Sequence, residues 1–181
     1  MSTKLEKVIA NVILTEKGYV DHADDTGGET NFGITVAVAR DFGYMGEMID
    51  MPRSVAEAIY EHEYWTKPRL NLIEQFSYAI AEEVFDSGVN CGQVTAILWL
   101  QRALNALNKK QALYKDIKVD GVLGFGTQVA LKAYLNRRSL HGEHVMLQAL
   151  NCLQGEHYLS ISENNEGNES FIFGWLKNRV T

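Results

Sequence analysis

The fold is decided by residues 3–16, which read Thr3-Lys4-Leu5-Glu6-Lys7-Val8-Ile9-Ala10-Asn11-Val12-Ile13-Leu14-Thr15-Glu16. Thr3 and Glu6 have the spacing of a helix capping box. The apolar residues then recur at the spacing of one buried helix face: Leu5, Val8, Ile9, Val12 and Ile13. Glu16 falls near the middle of that face, and Gly18 is expected to end the helix. The sequence therefore predicts an amphipathic helix that aims a carboxylate toward its own core.

The predicted surroundings of Glu16 suit it to acid catalysis. It would lie among apolar side chains and at the negative end of the helix dipole. Both effects disfavour the ionised form, so we expect the pKa of Glu16 to be raised. A carboxylic acid that stays protonated near neutral pH is what a general acid for acetal cleavage requires. The alternative is a residue on the rim of the helix, with its carboxylate in water.

The segment that follows changes character and ends in Gly27-Gly28-Glu29-Thr30-Asn31-Phe32-Gly33-Ile34-Thr35. Paired glycines between polar and β-prone runs predict a tight hairpin turn at Gly27-Gly28. A short β-ribbon there would fold back over the helix end and bring Asp25 across a cleft from Glu16. Two carboxylates facing each other across a groove are the minimum equipment of a glycosidase. Asp25 could instead only anchor the turn.

These residues resemble the signature of a known enzyme family. Glu16-Lys17-Gly18-Tyr19, with Asp25-Thr26-Gly27-Gly28-Glu29-Thr30-Asn31-Phe32-Gly33-Ile34-Thr35, is similar to glycoside hydrolase family 108. The members are phage-type N-acetylmuramidases, some once labelled secretion-activator proteins. Lys17 and Thr26 depart from the usual pattern, in which Glu-Gly-Gly-Tyr and often Asp-Pro-Gly-Gly occur. The spacing Glu-x8-Asp-x4-Thr also resembles the triad of T-even-phage-type lysozymes, with the threonine one residue closer.

The resemblance implies a set of site residues. The catalytic ones are Glu16, Asp25 and Thr30, and the substrate-binding ones are Tyr19, Asn31, Trp65 and Asn90. Trp65 could line the groove or belong to the core. Asn31 and Asn90 could orient the substrate or satisfy backbone groups.

The resemblance extends over nearly the whole chain, in Tyr60-Glu61-His62-Glu63-Tyr64-Trp65, Phe85-Asp86-Ser87-Gly88-Val89-Asn90-Cys91-Gly92 and Phe173-Gly174-Trp175-Leu176-Lys177-Asn178-Arg179-Val180. Leu100-Gln101-Arg102-Ala103-Leu104-Asn105 and Val119-Asp120-Gly121-Val122-Leu123-Gly124 with Thr127 are similar to the accompanying peptidoglycan-binding helical region. The implied fold is mainly α (α+β) and lysozyme-like, with a small β-hairpin at the active-site cleft. We expect a catalytic lobe at 1–87 and a helical peptidoglycan-binding-type lobe at 88–181, packed together as one compact unit.

Outside the first helix, local signals predict where further helices begin and end. Ser54 and Glu57 have capping-box spacing, Asn71 could cap a helix that runs through Val84, and Thr127 could cap another. A long helix is expected from about residue 142 to residue 160. The polar run 163–170 reads as a loop before the closing aromatic segment.

Composition and charge bound the class of protein. At 181 residues and 46% hydrophobic content, one domain or two tightly packed lobes is expected. The net charge of −6 disfavours nucleic acid as a partner. A negative protein is also not attracted over long distances to anionic bacterial walls. We therefore expect it to recognise sugar by close contact with its side chains. Cys91 and Cys152 are expected to be two reduced, buried thiols.

We expect no metal ion or other cofactor. His141 and His144 could share a helix face, but no third ligand follows at a suitable spacing. Asp21, Asp24 and Asp25 lack the closing glutamate of a twelve-residue calcium loop.

The sequence thus predicts a monomeric hydrolase that cuts the β-1,4 bond between N-acetylmuramic acid and N-acetylglucosamine in bacterial peptidoglycan. No apolar run approaches the ~18 residues of a membrane span, and the start lacks the apolar core of a secretory signal. We therefore expect synthesis in the cytoplasm and action in the periplasm or cell wall, after release by a holin pore or by dedicated export machinery. Two alternatives remain: a peptidoglycan-binding module with a degenerate cleft, and a lytic transglycosylase, which needs a single acid.

Overall fold

The computed structural model describes residues 3–15, 18–20 and 28–180. Its helices and strands, in chain order, are α1 Lys4–Thr15, β1 Thr30–Asn31, β2 Ile34–Thr35, α2 Val36–Phe42, α3 Arg53–Tyr60, α4 Tyr78–Cys91, α5 Gln93–Leu107, α6 Phe125–Arg138, α7 Leu140–Glu163 and α8 Glu169–Arg179. Short 3₁₀ turns occur at Met48–Asp50, Leu70–Leu72 and Glu166–Asn168, and α3 continues into a π-helical turn at Glu61–Thr66. The prediction of a mainly helical fold with one small hairpin is confirmed.

The chain forms two compact units that divide between Thr66 and Lys67. The amino-terminal unit contains α1 to α3 and the hairpin, and the carboxy-terminal unit contains α4 to α8. The lobe boundary predicted after residue 87 falls within α4, and that division stays a prediction. In the residues that the structure describes, no helix is both long and apolar enough to cross a membrane.

Helix α1 forms as its sequence predicts. The Glu6 carboxylate accepts from the Thr3 backbone N–H at 2.9 Å, and the Thr3 hydroxyl accepts from the Glu6 N–H at 3.2 Å, a reciprocal capping box. Ile9, Val12 and Ile13 are buried on the predicted face. The helix ends at Thr15, the residue before Glu16, and Glu16 and Lys17 lie outside the described residues.

The structure shows a hairpin turn after the paired glycines; Gly27 lies outside the described residues, so the turn expected at Gly27-Gly28 stays a prediction. Strands β1 and β2 are antiparallel, with Thr30 opposite Thr35 and Asn31 opposite Ile34. The two residues between the strands, Phe32 and Gly33, form the turn with φ angles of 52° and 73°. Two-residue hairpin turns that match strand twist need such positive angles. Glycine adopts them freely, whereas Phe32 carries strain that the surrounding contacts must offset.

Helix α3 begins at a different residue from the one predicted. Ser54 lies inside the first turn and Pro52 is the N-cap, with its carbonyl accepting from the N–H groups of Val55 and Ala56. Glu57 forms an ion pair with Arg53 at 2.9 Å instead of closing a capping box. The buried residues of α3 are Ala56, Ile59 and Tyr60.

Two predicted caps in the carboxy-terminal unit are also wrong. Helix α4 is capped by Ser77, whose hydroxyl accepts from the Ile80 N–H at 3.1 Å, and Asn71 lies in a 3₁₀ turn. Helix α6 starts after Gly124, so that Thr127 is a buried helical residue. The long helix predicted at about 142–160 is confirmed as α7, which extends from Leu140 to Glu163.

Candidate active site

A small β-ribbon forms the described part of the predicted cleft. Val20 and Thr30 exchange backbone hydrogen bonds of 2.8 and 2.9 Å, and Thr30 also pairs with Thr35 across the hairpin. Three backbone segments therefore lie side by side at this point. Residues 21–27, which include Asp25, lie between Val20 and Thr30 in the sequence and outside the described residues.

Buried side chains hold the hairpin from the core side. The Asn31 amide, 5% exposed, donates to the Met48 carbonyl at 2.7 Å. The Tyr60 hydroxyl donates to the Phe32 carbonyl at 3.0 Å, at the strained residue of the turn. The Tyr60 ring in turn stacks on Tyr64 with 5.4 Å between ring centroids. The ribbon is thus fixed to the 3₁₀ turn Met48–Asp50 and to α3, so its edges can present residues at defined positions.

Glu16 and Asp25 lie outside the described residues, so their catalytic roles stay predictions.

The other predicted site residues fall into two groups. Tyr19 and Thr30 are accessible: Tyr19 is 37% exposed and Thr30 is half-buried. The contacts of the other three are of a structural kind. Asn31 satisfies a backbone carbonyl, Trp65 is only 2% exposed, and the Asn90 amide donates to the Asp86 carbonyl one turn earlier in α4. Substrate contact by any of the five stays a prediction.

The central motif of α4 contributes to a half-buried polar network that the sequence did not reveal. Asp86 accepts from Arg179 at 2.6 Å and from the Gln154 amide at 3.4 Å, which links α4 to α8 and α7. Burial, followed by the negative charge of nearby Asp86, raises the pKa of Glu83 to about 7. Glu83 is therefore a carboxyl group that resists ionisation within the packed helices.

The peptidoglycan-binding-type motif is held by one buried glutamine. Gln101, 1% exposed, accepts from the backbone N–H groups of Asp120 and Gly121, each at 2.9 Å. Its amide nitrogen lies within 3.1 Å of Asp120 Oδ1, the Val122 carbonyl and Thr127 Oγ1. These contacts explain why Thr127 is buried in α6 and why the loop before α6 has a fixed shape.

Both cysteines are free, but neither is buried as predicted: Cys91 is half-buried and Cys152 is exposed. Burial raises the pKa of the Cys91 thiol to about 11, so it stays protonated and unreactive at neutral pH. Among the residues at 3–15, 18–20 and 28–180, no group of three or more His, Cys, Asp and Glu side chains could hold a metal ion.

Comparisons with known proteins agree with this organisation. Residues 9–92 match the sequence model described as Glycosyl hydrolase 108, and residues 95–180 match the one described as Predicted Peptidoglycan domain. No curated protein shows significant similarity to the chain.

Among solved structures, the chain is similar to the one titled "Structure of Brucella abortus SagA". The sequence identity is 23% and the TM-score 0.66, with 97% of this chain and 88% of that chain covered. This likeness concerns the fold. Residues 9–92 of the chain belong to the glycosyl hydrolase 108 family and residues 95–180 to the predicted peptidoglycan domain family, so that the protein is a glycoside hydrolase that acts on peptidoglycan.

Proposed function

We propose that the protein is an N-acetylmuramidase that cleaves the β-1,4 bond between N-acetylmuramic acid and N-acetylglucosamine. Glu16 protonates the glycosidic oxygen as the bond breaks and oxocarbenium character develops at the sugar. Asp25 either stabilises that charge or steers the attacking water, and Thr30 assists it from β1. The observation that carries the proposal is the family match of residues 9–92, which contains all three residues.

The described residues around Glu16 support its role as the acid. Helix α1 buries Ile9, Val12 and Ile13, the face that the sequence predicts for Glu16. Within Lys4–Thr15, the last turn of α1 contains no basic residue that would offset the negative end of the helix dipole. Both features agree with the raised pKa that the sequence predicts for Glu16.

The stereochemistry of the reaction depends on the distance between the two carboxyl groups. A separation of about 5–5.5 Å would make Asp25 a nucleophile in a retaining mechanism, and about 6.5–9.5 Å would leave room for water in an inverting one. Proton NMR of the anomeric centre during hydrolysis distinguishes the two outcomes directly.

Mass spectrometry of purified sacculi digested with the protein tests the proposal. We expect muropeptides with reducing N-acetylmuramic acid ends. Products with 1,6-anhydro-muramic ends would instead identify a lytic transglycosylase. Binding to sacculi without any released product would identify a binding module with a degenerate cleft, the alternative that Lys17 in place of the usual family glycine favours.

The substrate also defines where the protein acts. Peptidoglycan lies outside the cytoplasmic membrane, so we place the action of a cytoplasmically made monomer in the periplasm or cell wall, after release through a holin pore or dedicated export machinery. The biological role is then host-cell lysis or local wall remodelling for protein export. Expression with and without a co-expressed holin, followed by culture turbidity, tests the first route, for which lysis should require both proteins.

A further inference from the structure

The charge of the chain is unevenly distributed. Eight of its 17 Lys and Arg residues but only two of its 23 Asp and Glu residues lie between residues 102 and 138. This segment therefore carries a net charge of +6, whereas the chain as a whole carries −6. The net charge of the whole protein is negative although this segment is positive. The segment lies within residues 95–180, the part of the chain that matches the peptidoglycan domain.

Five of these cations lie at two helix ends that are joined to each other or in the loop that follows one of them. The Arg138 guanidinium donates to the Leu107 carbonyl at 3.1 Å and so joins the carboxyl end of α6 to the carboxyl end of α5. The remaining members lie beside these two helix ends and in the loop that follows α5. We call this set the basic surface; it consists of Lys109, Lys110, Lys115, Arg137 and Arg138, all of them exposed.

The turn that carries Lys109 and Lys110 is held in place. Three successive residues, Lys109, Lys110 and Gln111, have φ angles of 58°, 55° and 62°, a left-handed turn that non-glycine residues rarely adopt. Asn108, 3% exposed, fixes it by accepting from the Gln111 N–H at 2.9 Å and by donating to Asp116. The two lysines are therefore presented by a pre-organised backbone.

The charge of the basic surface is not neutralised locally. In the described part of the chain, none of its five cations forms an ion pair with a carboxylate. Asp116 accepts from the Asn108 amide, a neutral group beside Lys109, so that counting it leaves the surface with a net charge of +4. Asp120 is bound to Gln101 and Lys118. Exposed cations on a fixed turn, with no partner carboxylate, suit a polyanionic ligand.

We propose that the basic surface is the site at which this protein docks on peptidoglycan, by pairing with the free carboxylates of the peptide stems. The proposal deepens the proposed function, because it adds a second contact on the same polymer that the catalytic residues cleave. The sign of the charge is complementary, and the surface lies in the region that belongs to the peptidoglycan domain family. Because the Debye length is about 8 Å in 0.15 M salt, the pairing acts at close range and orients the protein once it has reached the wall.

Sedimentation with insoluble sacculi, stripped of accessory polymers and kept on ice, tests the docking site. The test variant is Lys109→Gln/Lys110→Gln/Arg137→Gln, which retains Arg138 and its bond between α5 and α6. A matched control, Lys4→Gln/Lys7→Gln/Lys177→Gln, makes the same change in net charge at exposed residues elsewhere. We expect the Kd of the test variant to rise at least ~10-fold at 0.15 M salt and that of the control to stay within about twofold.

Amidation of the sacculi identifies the chemical partner. Wild-type protein should bind sacculi with amidated carboxylates about as weakly as the test variant binds untreated ones. Unchanged binding by the test variant, or equal wild-type binding to amidated sacculi, overturns the proposal. Wild-type binding to duplex DNA or to anionic lipid vesicles as tight as to sacculi also overturns it, because the surface would then be a general polyanion site.

Sedimentation does not require turnover, so failure of the docking proposal and failure of the proposed function are distinguishable. Muropeptide release with unchanged binding of the test variant would leave the muramidase assignment in place and remove the docking site. Binding through the basic surface without release of reducing muramic ends would keep the docking site and remove the muramidase assignment.

Discussion

The two units of the molecule reach a defined shape by different means. The amino-terminal unit has short elements, and its hairpin is held by single side-chain bonds to backbone carbonyls, from Asn31 to Met48 and from Tyr60 to Phe32. The carboxy-terminal unit consists of longer helices joined by polar contacts such as those of buried Gln101 and of the half-buried Asp86–Arg179 pair. Their charges also differ: residues 1–66 carry 5 Lys and Arg against 12 Asp and Glu, a net −7, and residues 67–181 carry 12 against 11, a net +1.

This difference suggests a division of labour. Catalytic side chains are commonly placed on loops that a rigid scaffold positions. The ribbon, anchored from beneath, provides such a scaffold for residues that precede and follow it. In the carboxy-terminal unit, long helices joined by side-chain hydrogen bonds and an ion pair provide a stable surface for binding. We therefore expect substitutions in the amino-terminal unit to change chemistry, and those in the carboxy-terminal unit to change stability or affinity.

The largest effect is expected from Glu16→Gln. The amide keeps the shape of the side chain but cannot donate a proton to the leaving oxygen, so kcat on sacculi should fall by about 10²–10⁴-fold. The matched control is Glu47→Gln, an exposed glutamate of the same unit that makes no capping bond. If the Glu16→Gln protein kept more than a tenth of wild-type activity, Glu16 would not be the general acid, and the catalytic acid would have to be sought elsewhere.

The next effect concerns stability and should come from Gln101→Leu. The change leaves the N–H groups of Asp120 and Gly121 without their acceptor, which should lower the free energy of unfolding by roughly 2–4 kcal/mol. Hydrogen exchange should report the loss in residues 95–180 and not around the ribbon. Gln148→Ala, at an exposed position of α7, serves as the control. If hydrogen exchange showed equal destabilisation of both units, the contacts of Gln101 would not act on the carboxy-terminal unit alone.

A somewhat smaller, pH-dependent effect is expected from Glu83→Gln. The folded-state pKa of Glu83 is about 7 and its ordinary value 4.5, so the unfolded chain ionises first as pH rises. Wild-type stability should therefore fall by up to about 3 kcal/mol between pH 4.5 and pH 7 through this group. Glu83→Gln should remove that loss and be more stable than wild type at pH 8 but not at pH 4.5.

Thermal unfolding of wild type and Glu83→Gln at both pH values checks the sign. Glu156→Gln, an exposed glutamate on α7, is the control. A variant that is destabilised at pH 8 would mean that the ionised carboxylate is stabilising in its place, which is the opposite of what its burial implies.

The smallest of these effects is expected from Asp25→Asn. Its charge should act mainly on the transition state, so kcat should fall at least ~10-fold while binding to sacculi stays nearly intact. If the variant unfolds at a lower temperature with kcat unchanged, Asp25 is a turn residue. In that case the single acid Glu16 would remain, and 1,6-anhydro products should be sought again.

Sequence prediction succeeded where a local signal had no competitor. The capping box of Thr3 and Glu6 was predicted correctly, and so were the three buried residues of the α1 stripe, Ile9, Val12 and Ile13, because both signals depend on neighbours within one or two turns. Leu5 and Val8, the other two members of the predicted stripe, are half-buried. The same reasoning failed for Ser54, Asn71 and Thr127, three good capping residues that cap no helix at the predicted place. Pro52, Ser77 and Gly124 occupy the caps instead, and Thr127 bonds to Gln101, 26 residues away.

The sequence by itself determined the helical fold class, the existence of a β-ribbon and the identity of the candidate acids, since these follow from periodicity, residue type and short spacings. Only the tertiary structure decided the position of the turn between β1 and β2, because Phe32 tolerates a positive φ with Tyr60 bonded to its carbonyl from 28 residues away. Only it decided that Lys109 and Lys110 lie beside Arg138, because the bond from Arg138 to Leu107 spans 31 residues. Contacts of that range depend on how whole helices pack, and no window of sequence contains both partners.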